Sequence, residues 1–241
     1  MAESYKTLGR WFEYLNADCD YDSWSQYLLS KLKSADVGSS GIDIGCGNGY
    51  FTRALNRAGY WVSGMDISPE MLTVARQKAA KEGIRCEFLL GDITKLKLCG
   101  KVNFAVAVND CINYVPPSKL GHTFRKVYSC LTGDGVFFFD ISSENKLRNI
   151  IGENLFGEDG EDISYLWFNR QTPEGVRMEL TFFVKRQDGA YDRFEETHFQ
   201  YAHGEETIVG LLKEAGFARV ETEGHLGGDK TERINFFAYK R

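Results

Sequence analysis

The sequence predicts an α/β fold in which a mostly parallel sheet carries helices on both faces. From residue 40 onward, short apolar runs alternate with segments of helical spacing, and glycine turns separate the two. The run Val136–Ile141 is apolar except for Asp140, as expected of a parallel strand that is buried on both faces. With 241 residues, of which 43% are hydrophobic and 26% charged, the chain can bury a substantial core.

Each element of this repeat is assigned from its apolar pattern and from the residues that start or end it. Gly59 closes the first helix of the repeat and Gly83 the second, which begins at Ser68 as N-cap with Pro69 in its first position. The predicted helices are Tyr50–Ala58, 69–81, Pro117–Leu131 and Glu206–Ala215. The predicted strands are Gly41–Ile44, Tyr60–Met65, Cys86–Leu90, Val102–Val108, Val136–Ile141, Phe217–Glu223 and Arg233–Tyr239.

Two stretches lie outside this repeat. Residues 5–35 place aromatic side chains at loose helical spacing, which predicts two helices that pack on the core or cover a ligand. Residues 162–202 contain three runs with period-two alternation, in which Val176, Met178 and Leu180 share one face. The prediction for this second stretch is an antiparallel, three-stranded insert between the fifth strand and the last helix.

Charge and cysteine usage narrow the function classes. The formal net charge is −5 and Lys and Arg form no basic stripe, so a nucleic-acid partner is not indicated. No signal peptide is visible, and no apolar stretch approaches the roughly 20 residues that a membrane span needs. The six cysteines are scattered without a C-x-x-C pair, which is typical of reduced thiols and not of a zinc site. We therefore expect a cytoplasmic protein, monomeric or homodimeric, without a metal.

The first strand runs into the glycine-rich sequence Gly45-Cys46-Gly47-Asn48-Gly49, preceded by Asp43. Alternate glycines let the backbone turn sharply and let a ligand approach the main chain, and the following helix presents free N–H groups. The dinucleotide fingerprint G-x-G-x-x-G needs a further glycine three residues after Gly47. Because Tyr50 stands there, a nicotinamide or flavin enzyme is only a weak alternative.

The pattern D-x-G-x-G-x-G resembles motif I of the class I S-adenosylmethionine (SAM)-dependent methyltransferases. Asp66, after the second strand, matches the acid that binds both ribose hydroxyls in that family, and a carboxylate accepts two hydrogen bonds from a vicinal diol. Asp92 matches an acid near the adenine amino group, and Asn109 lies where polar groups face the SAM amino group. The resemblance therefore implies a SAM site formed by Asp43, Gly45, Cys46, Gly47, Asp66, Ile67, Asp92, Ile93 and Asn109.

The same resemblance implies a Rossmann-like sheet of seven strands, with the last strand inserted antiparallel, and S-adenosylhomocysteine (SAH) as the product. A closer likeness is to bacterial small-molecule-type methyltransferases, which share the aromatic N-terminal helices, the segment after the fourth strand and the inserted strands. Their first helix often carries a Tyr-Asp pair that closes over SAM, and Phe12 and Glu13 occupy those positions here. The implied organisation is a helical cap (1–36), a SAM-binding core (37–143), a substrate cap (144–204) and the rest of the core (205–241).

Methyl transfer from a sulfonium mainly requires alignment of three atoms, and a base is needed only if the nucleophile arrives protonated. His198 is the first candidate base, because the charge of imidazole changes near neutral pH. Tyr114, Glu196 and Asp110 are the other candidates. We expect the insert to form the acceptor pocket with Tyr165, Trp167 and Arg177.

The predicted reaction is methyl transfer to N or O of a small molecule. The segment after the fourth strand lacks the Asn/Asp-Pro-Pro-Tyr sequence of adenine and glutamine methyltransferases, and no cysteine follows a proline as in pyrimidine C5 methylation. Two alternatives stay open: a SAM-binding protein that does not transfer the methyl group, and a protein or nucleic-acid methyltransferase.

Overall fold

The computed structural model describes residues 19–241, so the first predicted helix and the Phe12–Glu13 pair lie outside the described residues. The helices of the described chain are α1 (Tyr21–Ser34), α2 (Tyr50–Arg57), α3 (Pro69–Glu82), α4 (Pro117–Cys130) and α5 (Glu205–Glu214). The strands are β1 (Ser40–Ile44), β2 (Trp61–Asp66), β3 (Phe88–Leu90), β4 (Val102–Ala107), β5 (Leu131–Ser142), β6 (Leu155–Asp159), β7 (Ile163–Thr172), β8 (Gly175–Lys185), β9 (Tyr191–Tyr201), β10 (Arg219–Gly224) and β11 (Arg233–Tyr239).

Seven strands form the main sheet in the order β10-β11-β5-β4-β1-β2-β3. β1 pairs in parallel with β2 and β4, whereas β11 lies antiparallel between β5 and β10. This topology confirms the predicted α/β class and the antiparallel last strand. Local signals also hold: Ser68 accepts a hydrogen bond from the Met71 N–H as N-cap of α3, and Gly83 ends that helix in a left-handed conformation.

The apolar strand β5 lies between two hydrophobic layers, which explains why its sequence does not alternate. Phe137 and Phe139 pack into the layer that α4 and α5 cover, while Phe138 packs with Trp24 of α1 and Phe51 of α2 on the other face. β5 begins earlier than predicted, at Leu131, because the Gly-Asp-Gly segment forms a bulge within the pairing with β4.

The insert is a separate antiparallel sheet with the order β6-β7-β8-β9, so it has four strands and not the predicted three. The additional strand β6 is an edge strand with the sequence Leu-Phe-Gly-Glu-Asp, which is largely exposed and shows no alternation that a sequence pattern could reveal. The inner face of the sheet packs on Leu147 and Ile151 of a short π-helix, Lys146–Ile151. Among the described residues, no helix combines the length and the apolar character that crossing a membrane requires.

Candidate active site

The carboxyl ends of β1, β2, β3 and β4 border a cavity of about 1090 Å³, its open mouth included. Open α/β sheets bind ligands at this end. All the residues that the sequence predicts for the SAM site line this cavity, as does the candidate base Tyr114. The cavity-lining residues of the predicted SAM site are Asp43, Gly45, Cys46, Gly47, Asp66, Ile67, Asp92, Ile93 and Asn109.

The glycine loop after β1 has a backbone that only glycine adopts without strain. Gly45, Gly47 and Gly49 have φ values of 72°, 53° and 75°, which lie in the left-handed region. A Cβ atom on Gly45 would lie 2.5 Å from the Sγ atom of Cys111. The loop therefore follows the cavity wall closely and presents its main chain to a ligand.

Asp66, the last residue of β2, is held by two backbone donors. Its Oδ2 atom accepts a hydrogen bond from the Gly47 N–H at 2.8 Å, and its Oδ1 atom accepts one from the Ser68 N–H at 2.9 Å. Burial raises the pKa of this carboxyl, and the backbone N–H groups of Ser68, Gly47 and Ile67 oppose that shift. Each oxygen keeps a further lone pair, so the carboxylate can also accept two hydroxyl donors from a ligand.

Asp43 lies in the same wall with one carboxylate oxygen unpaired. The Thr52 hydroxyl donates a hydrogen bond to Oδ2 at 2.6 Å, while Oδ1 is buried without a hydrogen-bond partner. Burial raises the pKa of Asp43 to about 7. A buried acceptor without a donor costs free energy, which a ligand donor in the cavity would recover.

Strand β9 of the insert contacts Tyr114, which is one of the cavity-lining residues. The Tyr114 hydroxyl lies 3.2 Å from Nδ1 of His198. Nε2 of His198 lies 3.2 Å from Oε2 of Glu196, and both of these β9 side chains are buried. The structure thus connects three of the four candidate bases in one hydrogen-bonded row that ends at the cavity.

Comparison with known proteins indicates the same protein family as the glycine loop and the aspartates at the strand ends. A family model described as a methyltransferase domain matches residues 42–135. A protein of Geobacillus sp. (strain WCH70), named as a methyltransferase without a stated substrate, is 32% identical over 248 residues, and the match covers 98% of this chain and 100% of that protein. The chain belongs to the class I SAM-dependent methyltransferases. It is therefore an enzyme that uses SAM as its methyl donor.

Solved structures extend this comparison to the whole methyltransferase. A SAM-dependent methyltransferase from Clostridium acetobutylicum ATCC 824 is 29% identical, with a TM-score of 0.88 over 97% of each chain. A sugar N-methyltransferase from Streptoalloteichus sp. ATCC 53650 covers 95% of this chain and 92% of its own, with 17% identity and a TM-score of 0.82. At that identity the second likeness shows a shared fold, which includes the region of the insert.

Asp110, a candidate base by sequence, does not line the cavity of the methyltransferase. Although burial opposes ionisation, the guanidinium of Arg233, 2.7 Å from its Oδ1 atom, holds the pKa of the Asp110 carboxyl below its usual value. Asp140 accepts a hydrogen bond from the Asn109 N–H at 2.7 Å and pairs with the same guanidinium. Asp110 thus balances a buried cation, and its place beside Asn109 in the sequence did not reveal this role.

The three residues predicted for the acceptor pocket lie elsewhere in the insert. Tyr165 and Trp167 pack inside the insert, with ring centroids 6.4 Å from Phe182 and 5.4 Å from Phe156 respectively. Arg177 lies on the exposed outer face of β8, where its Nε atom is 2.9 Å from Oε1 of Glu179. None of the three lines the cavity, because strand alternation turns Arg177 outward and the core of the insert takes the two aromatic rings.

Two aromatic residues at helix starts also line the cavity, and no sequence motif predicted them. Tyr21 of α1 and Tyr50 of α2 line the cavity, and their ring centroids lie 5.1 Å apart. The Asn109 side-chain amide lies 3.4 Å from the Tyr21 hydroxyl, so α1 contacts the loop after β4. The aromatic spacing of the N-terminal region was the available signal: α1 packs on the core through Trp24, and it also places Tyr21 at the cavity wall.

Two thiols, those of Cys46 and Cys111, also line the cavity. Burial raises the pKa of both cysteines, and the neighbouring aspartates act in the same direction. Since only the thiolate is an effective nucleophile, neither cysteine is suited to covalent catalysis.

The raised pKa of Asp43 predicts a pH-dependent stability. A carboxyl whose pKa is about 7 in the folded state and 3.8 in the unfolded chain binds more protons when folded, so its stabilising contribution is lost as pH rises through about 7. Asp43→Asn is expected to reduce the loss of unfolding free energy between about pH 5 and about pH 8 by roughly 3 kcal/mol, most of it below about pH 7. Urea denaturation of the ligand-free enzyme at both pH values measures this effect.

The matched control is Asp192→Asn, which removes an exposed carboxylate from the insert. It should leave the pH dependence of the unfolding free energy unchanged. An Asp43→Asn variant that keeps the full wild-type pH dependence would show that Asp43 is ionised at low cost in the cavity.

Proposed function

We propose that this methyltransferase transfers a methyl group from SAM to N or O of a small-molecule acceptor. The supporting observation is the cavity itself. Aspartates, aromatic rings and a glycine loop line it, and the described residues contribute no lysine or arginine to its wall. Such a wall repels phosphate backbones, and the net charge of −5 adds to this repulsion.

The residues of the cavity fit SAM as the molecule that they hold. Asp66 would accept hydrogen bonds from the ribose hydroxyls, and the left-handed glycines let the main chain approach the ligand. The buried, unpaired Oδ1 atom of Asp43 is an acceptor for a donor group of the ligand. Asp92 keeps one oxygen for the adenine side, since Thr94 donates two hydrogen bonds to the other. We assign Ile67 and Ile93 to packing on the base.

The acceptor would enter between the insert and α1. Residues 144–204 form the substrate cap in this proposal, because β9 places His198 against Tyr114 at the cavity wall. Tyr21 bounds the same cavity from α1. A space closed by two separate elements suits a small acceptor better than a folded protein chain.

The test is a search for the acceptor by product formation. A cell extract is separated into a dialysable fraction, a protein fraction and an RNA fraction, each is incubated with enzyme and SAM, and SAH is measured. We expect SAH to accumulate with the dialysable fraction, together with a metabolite whose mass has increased by one methylene group. The Asp66→Ala variant serves as the control without a working donor site. SAH release only with protein or RNA, or SAM consumption without SAH release, would contradict the proposal.

A further inference from the structure

The hydrogen-bonded row of Tyr114, His198 and Glu196 is not required by packing. β9 places Glu196 and His198 on the inner face of the insert, opposite Leu180 and Met178 of β8. Both polar side chains are 5% exposed among these apolar neighbours. A buried carboxylate is costly in such surroundings unless it is paired, and an apolar side chain at either position would pack without that cost.

The row has a defined proton arrangement when Glu196 is ionised. An ionised carboxylate only accepts hydrogen bonds, so Nε2 of His198, 3.2 Å away, then donates its proton to Glu196. The other ring nitrogen, Nδ1, then carries a lone pair and accepts the hydrogen bond of the Tyr114 hydroxyl at 3.2 Å. In this arrangement the phenol can pass its own proton inward as it receives one from the cavity.

We propose that Tyr114 is the catalytic residue that takes a proton from the methyl acceptor, and that His198 and Glu196 are the positioning residues that make it a base. This inference rests on the proposed small-molecule methyl transfer and specifies the acceptor class. The acceptor atom carries a proton that must leave, so it belongs to a hydroxyl group or a protonated amine.

The step balances in atoms and charge. The acceptor proton passes to the Tyr114 oxygen, and the phenolic proton of Tyr114 passes to Nδ1 of His198. In a protonated amine this transfer comes first, because it frees the nitrogen lone pair, whereas a hydroxyl oxygen already carries one. That lone pair forms a bond to the methyl carbon, and the carbon–sulfur bond breaks with its electron pair retained by sulfur. The positive charge lost from the sulfonium reappears on the imidazolium, beside the carboxylate of Glu196.

The position of Tyr114 indicates which part of the donor it faces. It ends the short helix Cys111–Tyr114, which follows Asn109 and the central strand β4. The ribose-binding Asp66 ends β2 and the adenine-side Asp92 follows β3, and these two strands lie at one edge of the sheet. The segment after β4 also contacts the insert, which contributes His198. Tyr114 therefore faces the reacting end of the donor.

Binding of sinefungin tests this assignment without an acceptor. In sinefungin, a carbon that bears an amino group replaces the methyl-bearing sulfonium of SAM, so its ammonium reports on the groups that face the methyl position. Dissociation constants of sinefungin and SAH are measured by calorimetry for wild type, Tyr114→Phe and Glu196→Gln. We expect both variants to lose about tenfold in affinity for sinefungin relative to SAH, since a charge-assisted contact is removed.

Two controls separate this effect from a general loss of structure. Tyr128→Phe makes the same chemical change where the ring packs on Phe217, and Glu179→Gln removes a carboxylate from the exposed face of the insert. Both should retain the wild-type ratio of the two dissociation constants. A wild-type ratio in Tyr114→Phe and in Glu196→Gln would overturn the proposal, and Tyr114→Phe alone decides it if Glu196→Gln does not fold.

The ¹⁵N chemical shifts of the His198 ring give a second readout that a purely structural role would not move. We expect the wild type to show a proton on Nε2 and none on Nδ1, and Glu196→Gln to lose this preference. A proton on Nδ1 in the wild type would overturn the proposal. These outcomes do not depend on turnover, so a failure of the acceptor search and a failure of the proton path are distinguishable.

Discussion

Asp66→Ala is expected to weaken the binding of SAH to the methyltransferase by at least about 100-fold. In the proposed site the carboxylate accepts a hydrogen bond from each ribose hydroxyl, and a hydrogen bond to a charged acceptor contributes about 1.5–3 kcal/mol. Two such bonds correspond to at least about 3 kcal/mol, or about two powers of ten in affinity. The substitution also removes the acceptor of the Gly47 N–H, which holds the glycine loop against β2. Isothermal calorimetry with SAH measures the change.

Two further variants show whether the loss of SAH affinity is caused by removal of this carboxylate. Asp66→Asn retains one acceptor oxygen and should give an intermediate affinity. Asp134→Ala removes a carboxylate from the bulge near the start of β5, whereas the cavity lies at the carboxyl ends of the parallel strands. This variant should bind SAH as the wild type does. An Asp66→Ala variant whose dissociation constant stays within about threefold of wild type would remove Asp66 from the donor site.

Arg233→Met is expected to lower the free energy of unfolding by about 3–5 kcal/mol. The guanidinium lies between the carboxylates of Asp110 and Asp140, and Asp140 is fully buried. It also lies over the ring of Trp24, 4.8 Å from the ring centroid. Methionine fills a similar volume but leaves two negative groups without their cation, which is the costly way to break a buried pair. Urea denaturation near pH 8 measures the difference.

The same variant is expected to have a characteristic pH dependence. Burial already raises the pKa of Asp140 to about 6 in the wild type, and the pKa rises further when the guanidinium is removed. Because a raised folded-state pKa gives stability that is lost as pH rises, the variant should be less impaired at about pH 5 than at about pH 8. The matched control is Arg193→Met, which breaks an exposed pair on the insert and should cost less than about 1 kcal/mol. An equal, small loss in both variants would contradict the assigned role of Arg233.

The Arg233 variant also connects stability with the donor site. Asp140 accepts hydrogen bonds from the N–H groups of Asn109 and Asp110, and both of these residues have left-handed φ values, 61° and 67°. Asn and Asp adopt that conformation more readily than other non-glycine residues, and the Asp140 carboxylate holds both N–H groups in it here. Loosening the carboxylate pair should therefore disturb the Asn109 side of the cavity as well as the core.

The sequence by itself determined the features that depend on neighbouring residues in the chain. The alternation of strands and helices, the left-handed glycines of Gly45–Gly49 and the acids Asp66 and Asp92 at strand ends follow from local backbone preferences. Parallel strands carry their carboxyl ends to one edge of the sheet, so residues that follow different strands converge there without further information. This is why the predicted donor residues line a single cavity.

Only the tertiary structure decided which polar groups are partners. Tyr114 meets His198 from 84 positions away, and Arg233 meets Asp110 from 123 positions away. The tertiary structure also places Arg177 on the outer face of the insert. It contains the edge strand β6, whose sequence has no alternation of polar and apolar residues. Such pairings depend on the register of the insert and on how its sheet packs against the core, and both are set by long-range burial that no local spacing encodes.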